Sequence, residues 1–374
     1  MKSDRSAALA LMAAAIAGLV LANSPIGGSL LDFKNLYIGI ESWGLKLSLE
    51  HWVSDLLLAV FFLVAGLELK YELRSGVLSK PSTAMVPVIA AIGGVIVPAL
   101  IYVAFNFGTD GLRGWPIPTA TDIAFALGVL AIFGRGLPKQ ARIFLLALAI
   151  FDDLVAILII AVFFTTDLEP TWLFAAMVVA VLHFFLEKIK PLPMNLVRAA
   201  SFLVLWYCVL QSGVHPTIAG VLLGLIIPAR QAHGLVEKIQ PWTNTIVLPL
   251  FAFFAVAIAI PSFEGSSSNV FLGILVALPV GKIVGITLFA LIANSLASRD
   301  ARMELKAPDF LAVAALAGVG FTVSLLMAKL AFGDHPELAA EATLAVILGS
   351  VISMVIGAAI AQSRARHYRK LQAQ

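Results

Sequence analysis

Residues 147–160 read ALAIFDDLVAILII, with Asp152 and Asp153 side by side near the centre. From Ile143 to Phe164 no other residue is charged. An apolar run of that length crosses the hydrocarbon core of a bilayer as a helix. An ionised aspartate at the middle of such a helix costs on the order of 2.5–3.5 kcal/mol, even on the most lenient insertion scale. The plain reading is two acids acting as hydrogen-bonding glue, yet Asn or Ser would do that at lower cost. The pair therefore reads as functional. At 3.6 residues per turn the two side chains diverge by about 100°. One can face a transport cavity while the other finds a different partner.

The whole chain has the same character. Its 374 residues are 60% hydrophobic and only 13% charged, against about a quarter charged in a soluble domain. We read an all-α, multi-pass membrane protein with about twelve transmembrane helices, a single integral membrane domain over residues 1–374. The spans are expected near 7–23, 51–69, 84–107, 116–133, 143–164, 171–186, 196–211, 214–228, 244–260, 269–294, 308–332 and 337–361. Segment 7–23 could pass for a signal peptide after Lys2 and Arg5, but the topology needs it as a span. The single Cys208 excludes an intrachain disulfide. No phosphate-binding loop, no Cys/His metal spacing and no cofactor motif is present, and the net charge of +3 does not indicate nucleic-acid binding.

The basic residues test the span count. With the N-terminus inside, twenty of the twenty-five Lys and Arg residues fall in inner segments. Lys190, in the loop after the sixth span, is one of the twenty, and the tail 362–374 carries four of them. Only Lys34, Lys46 and Arg113 are outside, with Lys282 and Lys329 within spans. This bias satisfies the positive-inside rule with both termini cytoplasmic. In the first outer loop, residues 35–50, LYIGI and LKLSL flank ESWG. The alternation predicts a small periplasmic β-hairpin. Its open edges offer a surface for a second copy, giving a homodimer.

Two spans are expected to be broken. Span four opens WPIPTATD (115–122), where Pro116 and Pro118 remove helical hydrogen bonds beside Thr119, Thr121 and Asp122. Span eleven carries AGVGFT (317–322), with Gly318 and Gly320 at mid-membrane. Each is the second member of a triplet of spans running in opposite directions. Interrupted helices at matching places in inverted repeats point to a transport site where the two cross.

Asp122, Thr121 and freed carbonyls are oxygen ligands suited to a small hard cation. Lys282, in the middle of span ten, needs an anionic partner, and one aspartate of the 152–153 pair is the obvious one. Asp55 lies early in span two, a candidate on the access path. Glu68 and Glu72 lie four apart at its inner end, on one helical face. His51, His183, Cys208 and His215 read as packing residues. A carboxylate withdrawn from water holds its proton to higher pH, so proton and cation compete for it. If the site opens to one side at a time, competition becomes exchange. Two acids per site would deliver two protons for each monovalent cation, moving net charge.

Several stretches together resemble the NhaA-type bacterial sodium/proton antiporters: FFLVAGLELKYEL (61–73), IPTATDIAFALGVLAIFG (117–134), LALAIFDDL (146–154), SGVHPTIAGV (212–221), GKIVGI (281–286) and GVGFTVSLLMAKLAFG (318–333). Inverted repeats with half-helix sites are a pattern of which this family is itself an example. The resemblance implies an ion-binding role for Asp153, with Asp122 as the second carboxylate on the ion. It pairs Asp152 with Lys282, places Asp122 and Thr121 in the broken fourth helix, and gives Glu68 and Glu72 a role in pH response. It further implies export of Na+ or Li+ driven by inward H+, in the bacterial inner membrane, with no cofactor and no enzymatic activity. Two departures stand out. AFFAVAIAI (252–260) lacks the Asn usual in the ninth span, and HGLVEKIQPW (233–242), read as the loop before that span, lacks the usual acid and histidine cluster. The pH at which activity begins therefore does not carry over. Two other readings exist. A sodium-coupled symporter of small organic anions would need a polar solute pocket. An intramembrane aspartyl protease using Asp122 and Asp153 would need a GxGD motif, which is missing, and would leave Lys282 unexplained.

Overall fold

Helices dominate because long apolar runs in lipid must satisfy their backbone groups internally. The computed structural model describes residues 2–165, 167–189, 193–260, 268–299 and 301–372. Lys190 and the last two residues of the basic tail lie outside the described residues.

In chain order the helices are α1 (Lys2–Ala22), α2 (Gly27–Lys34), α3 (Leu49–Ser75), α4 (Pro81–Asn106), α5 (Ile123–Phe133), α6 (Lys139–Phe163), α7 (Pro170–Leu186), α8 (Met194–Gln211), α9 (Thr217–Ile226), α10 (Ala229–Val256), α11 (Asn269–Leu296), α12 (Ala307–Ala317), α13 (Phe321–Phe332) and α14 (Pro336–Gln372). Seven of these are long and apolar enough to cross a membrane: α3, α4, α6, α8, α10, α11 and α14. Three further pairs qualify together but are bent. α1 and α2 meet at 115°, two short 3₁₀ stretches within Asp110–Thr119 meet α5 at 43°, and α12 meets α13 at 48°. α7 and α9 are shorter apolar helices. A polytopic membrane protein follows from this pattern alone.

By its contacts the chain divides into two compact units. The first comprises residues 1–12, 77–156 and 258–374. Its core gathers Phe144, Phe310, Leu316, Ile286 and Val86, all fully buried. Within it α4 and α11 approach as closely as backbones can. A Cβ on Gly285 would fall 2.2 Å from the Gly93 carbonyl oxygen, and one on Gly93 would fall 2.5 Å from that of Gly285. Small residues permit such contact between membrane helices. Lys282 lies one turn before this seam.

The second unit comprises residues 13–76 and 157–257. Its core centres on Ala59, Leu67, Leu205, Trp206 and Leu223. Strands β1 (Tyr37–Ile38) and β2 (Leu47–Ser48) pair antiparallel, Tyr37 opposite Ser48 and Ile38 opposite Leu47. Lys34, at the end of α2, donates to the Ala257 carbonyl at 3.2 Å and lies 3.3 Å from Glu50. That amine meets the carbonyl end of α10, where the helix dipole favours a cation.

Three stretches differ from the sequence reading. Residues 233–242, expected as a loop, belong to α10. Ala232 and Val236 are buried on one face, while Arg230, His233, Glu237 and Lys238 form the other. Such an amphipathic turn sequence continues a helix out of the apolar layer. A short helix, α2, lies between the expected first span and the loop 35–50. Residues 362–372, read as a tail, continue α14 without a break to Gln372.

Candidate functional site

Within the first unit the two bends touch. α5 is N-capped by Asp122, whose Oδ1 accepts from the Phe125 N–H at 3.1 Å. The Asp122 N–H donates to the Val319 carbonyl at 2.6 Å. Its Oδ2 accepts from the Thr322 N–H at 3.2 Å and the Thr322 hydroxyl at 2.6 Å. One carboxylate thus serves the first turns of two helices, α5 and α13, where unpaired amides and the helix dipoles favour negative charge. The Ser324 hydroxyl donates to the Ile117 carbonyl at 2.7 Å, binding the bends a second time.

Gly318 and Gly320 supply the close approach. A Cβ on Gly318 would come 2.6 Å from Ser353 Oγ and 3.2 Å from the Leu278 carbonyl oxygen. One on Gly320 would meet Ser324 Oγ at 2.2 Å. From α14, Ser350 Oγ accepts from the Phe321 N–H at 3.2 Å, capping the start of α13.

Beside the crossing lies a buried ion pair. Lys282 Nζ donates to Asp152 Oδ2 at 2.6 Å and to Thr121 Oγ1 at 3.0 Å. The Thr121 hydroxyl lies 2.7 Å from Asp152 Oδ2 and 2.8 Å from the Ala317 carbonyl, with one proton to give. Lys282 is fully buried and Asp152 is 2% exposed. The partner that sequence reasoning demanded for Lys282 is therefore Asp152. Asp152 Oδ1 is buried with no hydrogen-bond partner among the described residues. Asp153, the next residue of α6, is also buried and lies within electrostatic reach of Lys282.

Thr121, Asp122, Asp152, Asp153, Lys282, Gly318 and Gly320 all belong to the first unit. Asp55, Glu68 and Glu72 belong to the second. Asp55 lies in a π-helical stretch of α3, Trp52–Leu57. It accepts from the Ser54 hydroxyl at 2.8 Å, and His215 Nε2 is 3.9 Å away. Glu68 accepts from Gln240 Nε2 at 2.9 Å, tying α3 to α10. Glu72 is buried.

The sequence reading missed what Asp122 does locally. Its signal was present, since Thr-Asp before an apolar run is a helix-start signature. Ser350 was missed because nothing in a serine within α14 marks it as a cap for another helix. Among the described residues no cluster of three or more His, Cys, Asp or Glu side chains is arranged to hold a metal ion.

The family model described as Na+/H+ antiporter 1 matches residues 1–361. A protein of Clavibacter michiganensis subsp. michiganensis (strain NCPPB 382) called Na(+)/H(+) antiporter NhaA 2 is 47% identical, over 99% of this chain and 92% of its own. The Na(+)/H(+) antiporter NhaA of Thermobifida fusca (strain YX) is 40% identical, over 100% of this chain and 95% of its own. The protein so named in Escherichia coli O139:H28 (strain E24377A / ETEC) is 43% identical, over 95% of each chain.

Proposed function

This chain belongs to the Na+/H+ antiporter 1 family and exchanges sodium ions for protons across a membrane, and from that premise we propose how it does so. It exports Na+, and Li+ as a close substitute, against entering H+. It works in the bacterial inner membrane with both termini cytoplasmic. It is a transporter, not an enzyme, and needs no cofactor. The family assignment leaves the symporter and protease readings without support.

In this reading the chain makes twelve passes: the seven long helices, α1, the Asp110–Phe133 and Ala307–Phe332 bent pairs, and the shorter α7 and α9, a count that the lengths and apolar character of these helices support. In this reading the Asp110–Phe133 and Ala307–Phe332 pairs are interrupted spans of an inverted repeat. Asp153 and Asp122 hold the cation, completed by backbone, hydroxyl and water oxygens. This is the mixed oxygen set that small hard ions take.

The observation that carries the mechanism is the Asp152–Lys282 pair. It neutralises one carboxylate of the adjacent two, and the other, Asp153, titrates against the ion. Entry of Na+ displaces the Asp153 proton. The second proton leaves either from Asp152 or from Lys282 as their pair breaks, giving two H+ per Na+ and net charge movement. The membrane potential then helps drive Na+ outward. Asp55 lines the access path. Glu68 and Glu72 take part in the pH response, with the Glu68–Gln240 contact as the tie they would loosen. The paired strands β1 and β2 offer the dimer contact, which size measurement of a variant lacking residues 37–48 tests.

The test is proton flux in inside-out vesicles, titrated with Na+, Li+ and K+ at several pH values. Flux evoked by Na+ and Li+ but not K+, and larger with an imposed potential, is expected. Flux indifferent to the cation, or unaffected by potential, overturns the selectivity or the stoichiometry respectively.

A further inference from the structure

A second buried carboxylate of the first unit lies outside the ion site. Asp309 is the third residue of α12 and is fully buried. Its Oδ2 accepts from the Lys306 N–H at 2.9 Å and from the Tyr368 hydroxyl at 2.7 Å. Its Oδ1 accepts from Arg364 Nε at 2.9 Å. The Arg364 guanidinium lies 5.2 Å from the Tyr368 ring centre. Arg364 and Tyr368 are one turn apart on the extension of α14. That extension also packs on the loop after α5. Gly136 there has φ of +115°, and a Cβ on it would fall 2.9 Å from the Ala365 carbonyl oxygen.

This cluster is expensive for a mere helix cap. A Ser or Thr at the N-cap would satisfy amides of α12 without burying an acid against a partly buried arginine. What the cluster adds is a fixed tie between α12 and α14. From Asp309 to Ala317 is eight residues of helix, roughly 12 Å at 1.5 Å per residue. At the far end, the Ala317 carbonyl meets Thr121 and the Val319 carbonyl holds the Asp122 N–H. α14 also touches each half of the bend. A Cβ on Gly357 would be 2.7 Å from Leu316 Cδ2, and Ser350 caps Phe321. α14 is a splint along both halves of the α12–α13 bend.

We propose that Asp309, Arg364 and Tyr368 are positioning residues for ion exchange. Through α12 they set the height and rotation of the Ala317 and Val319 carbonyls, and so the geometry that Thr121 and Asp122 present to the cation. The inference rests on the ion site proposed above.

The experiment measures the half-saturating Na+ concentration and the maximal rate in vesicles for Tyr368→Phe, Arg364→Ala and Arg364→Lys, with Asp122→Asn in parallel. Tyr368→Phe removes one hydrogen bond and no volume from the packing, so it keeps the test open if Arg364→Ala folds poorly. Loss of a hydrogen bond to a charged group is large enough to raise the half-saturating concentration about threefold or more. Arg364→Lys should recover part of that shift, because it restores the cation. If Asp122→Asn weakens Na+ affinity while Tyr368→Phe and Arg364→Ala change only maximal rate or melting temperature, the clamp is purely structural and the inference fails. If Asp122→Asn itself leaves affinity unchanged, the ion-site reading fails, and this inference with it.

Discussion

Lys282 Nζ lies 2.6 Å from Asp152 Oδ2, both side chains removed from solvent. Two opposite charges held this way are costly to bury, but removing one partner alone is costlier still. Lys282→Ala should therefore lower stability by about 3–5 kcal/mol, seen as a fall in melting temperature in detergent, along with altered transport. The double variant Asp152→Asn, Lys282→Met should recover much of the stability without recovering exchange. A Lys282→Ala protein as stable as its parent would mean that the pair contributes little.

Asp153, the next residue of α6, is buried within electrostatic reach of the same lysine. Asp153→Asn should abolish Na+-dependent proton movement in inside-out vesicles. Substantial retained exchange would remove Asp153 from the ion site.

Asp122 has two duties that substitutions separate. Asn keeps one acceptor oxygen and caps as well as Asp at one helix start, so Asp122→Asn should fold with one of the two helix starts still held while binding Na+ more weakly. Asp122→Ala should lose the cap as well, about 1 kcal/mol further. Equal Na+ affinity in parent and Asp122→Asn would reduce Asp122 to its capping role.

Ser350 reaches the bend from α14. Ser350→Ala would leave the buried Phe321 N–H without its acceptor, a loss of about 1–3 kcal/mol. Ser350→Thr, which keeps the oxygen, should restore the melting temperature. Identical melting of the Ala and Thr variants would show that the hydroxyl is not needed.

What could be read from sequence was what energy makes local. Two aspartates in a run of Leu and Ile announce themselves, because lipid penalises them wherever the chain goes. Pro116, Pro118 and the Gly318–Gly320 pair mark backbone that cannot stay regular. The features that escaped depend on distant pairing or on context. The Asp309 contacts join residues 55 and 59 positions apart in sequence, and no local pattern specifies that meeting. Residues 233–242 carry enough charge to pass for a loop. Ala232 and Val236, with Leu235 and Ile239 beside them, pack one side of the helix onto the core of the second unit. The sequence also does not say whether the Thr121 hydroxyl donates to Asp152 or to the Ala317 carbonyl, both within reach. That choice between two acceptors is set by tertiary distance alone.

The most direct measurement is calorimetric titration of the purified protein with NaCl, repeated at several pH values and in buffers of different ionisation enthalpy. The expected result is weaker Na+ binding as pH falls, with protons released as each ion binds. Sodium affinity that is the same in acid and alkali, with no proton release, would contradict a shared carboxylate site.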